Sequence, residues 1–224
     1  MTLKVFANTY RTPKYFDMSV RSIKKSASKP VDIIPLINNS PEINENIEIA
    51  EKLKKEGYID KYIVCSGNSK GWGFDWLFRK FRPDLNILND YSPNFFVFTD
   101  LDLLVLGIDW IKELEDSLKE NVVAGFSLLE DNYKPPNSGY SPIGFGNWLV
   151  GVNSLWYLDH IKEGTPMVDY YFHTAAIPYG CKQIPIGLYH MGWNTHKDYP
   201  DYWLTKVKGV DWFEKPEKLE YTIL

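Results

Sequence analysis

Two aspartates one leucine apart, Asp100 and Asp102, end the apolar run in NFFVFTDLDLLV, residues 94–105. In an extended strand, side chains at i and i+2 share a face, so both carboxylates can converge on one point just beyond the strand. Two carboxylates held close repel unless a cation sits between them. Mg²⁺ or Mn²⁺ fits that role, because such an ion takes one or two protein carboxylates and fills its shell with water and phosphate oxygens. The chemistry indicated is metal-assisted handling of a nucleoside diphosphate. Asp-x-Asp also occurs in plain solvated turns, so the motif depends on its context.

The context is a strand–helix alternation over the first 125 residues. Strands are expected at 3–8, 31–38, 60–65, 94–99 and 122–130. Helices are expected after Thr12-Pro13, after Ser40-Pro41 with Gly57 past the end, over 72–82, and after the cap residue Asp109. The run 94–99 is apolar on both faces, as a strand covered by helices on each side should be. This pattern predicts an α/β fold with a mostly parallel central sheet, whose ligands gather at the carboxyl ends of the strands. Asp100 and Asp102 stand at such an end. After residue 130 the texture changes. Residues 131–147 read as a Gly- and Pro-rich loop, 147–153 as a strand, 165–180 as a helix, and IPIGLYHMGW as a strand that turns irregular. The last twenty residues read as a loose tail. A single domain over 1–224 is expected, with a donor half (1–130), an acceptor half (131–200) and a C-terminal tail (201–224).

With 224 residues, 44% hydrophobic and 24% charged, the chain can bury a sizeable core. A net charge of −4 without a basic block argues against nucleic acid. The two cysteines, Cys65 and Cys181, have no metal or disulfide spacing. No run of 18 apolar residues occurs and the N-terminus lacks a signal-peptide pattern, so a cytoplasmic protein, peripheral to a membrane at most, is expected.

The alternation, FFVFTDLD near residue 100 and an isolated histidine in a mixed second half resemble the GT-A-fold glycosyltransferases. The likeness is to family 2-type enzymes and to compact archaeal viral members, and it covers most of residues 1–195. It implies transfer of a sugar from a UDP- or GDP-sugar to a glycan, lipid or protein acceptor, with Mn²⁺ or Mg²⁺. Asp102 would contact the metal and Asp100 the ribose or the metal. His190 in GLYHMGWNTH would be the third ligand, with His196 as fallback. Thr9 and Arg11 in ANTYRTP would lie against the nucleotide, and Trp72 and Gly73 in CSGNSKGWGFDW against its base. Family 2 enzymes carry an aspartate-rich turn after the second strand. INNSPE stands there instead, with Asn38 and Asn39 able to hydrogen-bond a base. Trp148 would be a sugar platform. Lys197, Lys206 and Lys208 fall where relatives have a mobile lid. For inverting transfer, Asp169 would be the general base, with His173 on the same helix edge as an alternative and Glu130 and Asp131 behind them. A retaining enzyme would need no such base.

Other classes fit less well. A sugar-nucleotide pyrophosphorylase or nucleotidyltransferase should show a glycine-rich, arginine-bearing loop after the first strand, and ANTYRTPKYF is not one. A haloacid-dehalogenase-type phosphatase carries its Asp-x-Asp after the first strand, whereas three strand-like runs precede it here. A non-catalytic carbohydrate-binding protein would explain the 35 aromatic residues (8 Trp, 15 Tyr, 12 Phe) but not converging carboxylates.

Overall fold

The computed structural model describes residues 2–69, 71–81, 94–106, 109–128, 149–165, 169–191 and 218–224. Strands β1 (Leu3–Thr9), β2 (Val31–Ile37), β3 (Ile63–Cys65) and β4 (Phe95–Asp100) pair in parallel in the order β3-β2-β1-β4. Their connections hold α1 (Pro13–Lys25), α2 (Ile43–Lys55) and α3 (Trp72–Phe81). Past β4, β5 (Leu103–Leu104), α4 (Trp110–Ser117), β6 (Val123–Leu128), β7 (Val150–Asn153), α5 (Ser154–His160), α6 (Asp169–Ala176), β8 (Cys181–His190) and β9 (Tyr221–Ile223) complete the described elements. The sheet order is β5-β8-β6-β7-β4-β1-β2-β3-β9, with β7, β5 and β9 antiparallel to their neighbours.

Alternation along the strands divides the core into two layers. Val5, Ala7 and Val97 pack with Phe16, Val20 and Ile23 of α1, Leu53 of α2 and Trp110 of α4. Phe6, Phe96 and Phe98 face the other way, onto Phe74 and Phe78 of α3, Tyr157 of α5 and Phe172 of α6. Rings meet edge-on or tilted there, as at Phe96–Phe98 (4.6 Å) and Phe78–Tyr157 (4.6 Å), the arrangement that aromatic quadrupoles favour. All seven residues of β2 are buried. It tolerates Pro35, which lacks an N–H, because pairing with β3 starts one residue later, at Leu36.

Several sequence signals act as expected. Asp109 caps α4 by accepting from Lys112 N at 3.2 Å. Gly57 takes φ +76° after α2, a left-handed turn that side chains resist. Thr12 stands before α1, but its hydroxyl lies 3.0 Å from that of Thr9 rather than capping the helix.

Three features differ from the sequence reading. Helix α5 was not expected. Its cap is Asn153, whose Oδ1 accepts from Trp156 N at 3.0 Å. The tail ends in a strand: β9 runs antiparallel to β3, and Tyr221 stacks on Trp76 at 4.0 Å. Finally, β4 stops at Asp100 and the chain bends through Leu101 and Asp102 before β5, so strand alternation does not place the two aspartates. Leu101 is buried in the core, and its N–H donates to Asn8 O at 2.9 Å. That bond closes the β1–β4 ladder, and beyond it the chain leaves β1 for β8.

Candidate active site

The β3-β2-β1 series runs one way from β1 and β4 lies on the other side, so the switch in strand order falls between β1 and β4. A crevice for ligands forms at such a point, outside the carboxyl ends. Here those ends are Thr9 and Asp100, with Asn8 in register with Asp100.

Next to Asp100, the bend delivers Asp102 to β8. Met191 N donates to Asp102 O at 2.7 Å, and Leu103 stands opposite His190. Asp102 Oδ1 lies 3.2 Å from His190 Nε2, with both side chains mostly shielded from solvent. The structure therefore joins two of the three expected metal ligands across 88 residues of chain. Among the described residues, no three His, Cys, Asp or Glu side chains cluster as a metal site. Asp100 ends β4 in register with Asn8 of β1, whereas the bend carries Asp102 to β8. A carboxylate oxygen and an imidazole nitrogen still suit a divalent ion that draws the rest of its shell from phosphate and water.

On the β1 side, polar groups bind one another. Asn38 is fully buried. Its Nδ2 donates to Asn8 Oδ1 and to Thr9 O, and its Oδ1 accepts from Ser69 N (2.8 Å) and Ser69 Oγ (2.6 Å). It ties the ends of β1 and β2 to the β3–α3 loop and is not presented to a base. Asn39, by contrast, is exposed, and its Nδ2 donates to Ser66 O at 3.1 Å. Thr9 is buried. Arg11 is buried at φ +55°, a conformation costing a side-chain-bearing residue about 1–2 kcal/mol. Its guanidinium donates to both Glu42 oxygens, Nε at 3.1 Å to each and Nη2 to Oε1 at 3.0 Å. That fork-to-carboxylate geometry engages the face with which it would hold a phosphate.

Trp72 opens α3 half-buried, its N–H donating to Ser69 O at 3.0 Å. Gly73 is required by the protein itself. A Cβ there would lie 2.3 Å from Leu36 Cδ2 and 2.4 Å from Ser69 Oγ. Glu42, Asn38 and Ser69 organise these loops, and only Asn38 drew notice in the sequence, as a base contact.

Asp169 is the first residue of α6, which leads through a 3-10 turn (Ile177–Tyr179) to the start of β8 beside Val123. Since β8 starts at the amino-end edge, Asp169 sits at the helix end away from that edge. His173 is fully buried, and burial pushes its pKa down to about 3. A ring of so little basicity is a poor proton acceptor. Buried Asp75 binds Arg79 Nε (3.0 Å), Tyr157 OH (2.7 Å) and Gly164 N (2.8 Å), joining α3 to α5 and to the loop before α6. Trp148, Glu130, Asp131, His196, Lys197, Lys206 and Lys208 lie outside the described residues. At the opposite end of the sheet, a groove of about 510 Å³ is lined by Arg21, Lys24, Lys25, Glu56, Gly57 and Tyr58. Arg21 is engaged there by Asp17 and Glu56, and Lys24 by the Gly57 and Tyr58 carbonyls.

No protein-family model and no curated protein sequence matches the chain. Solved structures do. S. aureus TarS superposes with a TM-score of 0.60 at 14% identity over 94% of this chain and 40% of its own. Its 1–349 fragment in complex with UDP gives 0.51 at 16% identity over 71% of this chain and 48% of its own. Mannosyltransferase PcManGT from Pyrobaculum calidifontis, in complex with GDP-Man and Mn²⁺, gives 0.58 at 12% identity over 84% of this chain and 56% of its own. The chain has a GT-A-like fold. At these identities the likeness is one of architecture, and the chain spans less than two thirds of each of these structures. Within the GT-A-like fold, the β1–β4 crevice and the Asp102–His190 pair share one edge of the sheet. Among the described residues, no helix is long and apolar enough to cross a membrane.

Proposed function

We infer that the protein is a metal-assisted glycosyltransferase that moves a sugar from a nucleoside-diphosphate sugar to an acceptor hydroxyl with inversion. The observation that carries this reading is the Asp102–His190 pair at the carboxyl edge of a GT-A-like sheet. PcManGT, of similar fold, holds GDP-Man and Mn²⁺, and TarS 1–349 holds UDP, which supports a nucleotide donor and a divalent ion here.

In this reading Asp102 and His190 hold Mn²⁺ or Mg²⁺, which would neutralise charge developing on the departing diphosphate. Asp100, at the end of β4, faces the ribose. Asn39, Thr9, Arg11, Trp72 and Gly73 form the nucleotide side, Asn39 by an exposed amide, Trp72 by its half-buried ring, and Thr9 and Gly73 by holding the loops. Arg11 reaches a phosphate only after leaving Glu42. Trp148 serves as a sugar platform. Asp169 takes the acceptor's proton. The acceptor is a glycan, lipid or protein hydroxyl, and the setting is the cytoplasm.

Calorimetry with UDP- and GDP-sugars, with and without Mn²⁺, tests the reading. Mn²⁺-dependent binding of one nucleotide class is expected. Binding that ignores the metal, or none at all, would sink it. Asp102→Asn should weaken Mn²⁺-dependent binding by more than about 100-fold, beyond the range seen for residues that merely support a metal ligand. Asp169→Asn should leave binding intact and abolish transfer. Transfer that survives would remove Asp169 from the mechanism.

A further inference from the structure

Ser19 is fully buried in α1, and its hydroxyl makes two bonds to a single residue of β5. It donates to Leu103 O at 2.8 Å and accepts from Leu103 N at 3.1 Å. The column continues down the same helix face. Ser22 Oγ accepts from Val105 N at 3.3 Å, and Ser26 Oγ donates to Val105 O at 3.4 Å. Positions 19, 22 and 26 follow the i, i+3, i+7 spacing of one helical stripe.

This stripe answers a geometric problem. Strand β5 has two residues and lies at the end of the sheet. One edge pairs with β8. The other would leave N–H and C=O groups in the interior without a neighbouring strand, and buried backbone groups need partners. In an antiparallel ladder, residues alternate between pairs that bond each other and pairs whose N–H and C=O point outward. The bond from Met191 N to Asp102 O makes Asp102–Met191 a bonded pair, so Leu103, opposite His190, must turn its backbone groups away from β8. Ser19 meets both of them.

We propose that Ser19 is a positioning residue for the Asp102–His190 pair: by fixing Leu103 from the side opposite β8, its hydroxyl holds the two ligands 3.2 Å apart before any ion or nucleotide arrives. The inference rests on the reading of that pair as the metal-holding site. A single hydroxyl both gives and takes a proton here. Alanine can do neither, and threonine retains both functions at the cost of one methyl.

The test uses the full chain and two readouts on Ser19→Ala, Ser19→Thr and Ser26→Ala. The first is Mn²⁺ affinity in the presence of UDP or GDP, read from the electron paramagnetic resonance of free Mn²⁺. The second is amide hydrogen exchange at Leu103 and Met191. Ser19→Ala should weaken Mn²⁺ binding about tenfold or more, the loss typical of a group supporting a metal ligand, and speed Met191 exchange by a similar factor. Ser19→Thr should recover most of the affinity, and Ser26→Ala should change it less than about twofold. Unchanged affinity and exchange in Ser19→Ala, or equal losses in Ser19→Ala and Ser26→Ala, would overturn the proposal. If the wild-type chain binds no Mn²⁺, the metal reading fails, and Met191 exchange alone decides the positioning role. If Ser19→Ala does not fold, Ser19→Cys, which keeps the shape but bonds only weakly, replaces it. A smaller shift in the same direction then supports the proposal, and no shift overturns it.

Discussion

The two sides of β4 solve the placement of polar groups in opposite ways. Toward β1, the loops are fastened by side chains: Asn38 to Asn8, Thr9 and Ser69, Thr9 to Thr12, and Arg11 to Glu42. Toward β8, Asp102 and His190 are brought together by main-chain pairing, with Met191 N on Asp102 O and Leu103 opposite His190. The contrast separates two kinds of residue near one crevice. Side chains that bind each other in the interior maintain loop shape, and a mutation there should act mainly on stability. Side chains carried by a ladder contribute little to holding that ladder, and a mutation there should act on ligands.

Four measurements can break or sharpen this contrast. The largest stability loss is expected for Asn38→Ala, which strands the buried Ser69 N–H and the groups bonded to Nδ2. About 3 kcal/mol in urea unfolding is expected, from unsatisfied buried partners at about 1–3 kcal/mol each. Gly73→Ala should follow at about 2 kcal/mol, because the new methyl overlaps Leu36 and Ser69 in a packed interior. Third, read per pH unit, comes a pH effect centred on His173. Unfolded His173 takes up a proton near pH 6.5, whereas the folded ring stays neutral to about 3, so folding stability falls as pH drops from 6.5 toward 3. Melts across that window should show up to about 1.4 kcal/mol lost per pH unit, a slope that His173→Gln should remove. The smallest effect is expected for Asp102→Asn on unfolding, below about 1 kcal/mol, despite its large effect on binding. A loss of 3 kcal/mol there would erase the distinction between the two sides.

Much of this was legible in the sequence. Long apolar runs gave β1, β2 and β4, Asp109 marked the start of α4, and Gly57 the end of α2. Proximity of Asp102 and His190 could be expected only from family resemblance, because register between segments 88 residues apart leaves no local mark. Helix α5 escaped because seven residues are too few to display a period, although Asn153 offered a cap. Strand β5 is shorter still. Asn38 read as a ligand contact because an asparagine after a strand looks the same whether it faces solvent or two other segments of the chain. The serines of α1 carried no signal, since their spacing acquires meaning only when the backbone of β5 lies against them. The expectation that strand alternation aims both carboxylates of Asp-x-Asp does not hold: a bend at Leu101, not the pleat of a strand, sets where the second one goes.

Strand β9 has a practical consequence. It descends along β3 from Tyr221, beside Cys65, to Leu224, whose N–H and C=O both bond Tyr62. Leu224 therefore emerges on the edge away from Thr9 and Asp100. A surface tether or fluorescent reporter attached beside Leu224 would leave the crevice facing away from the support.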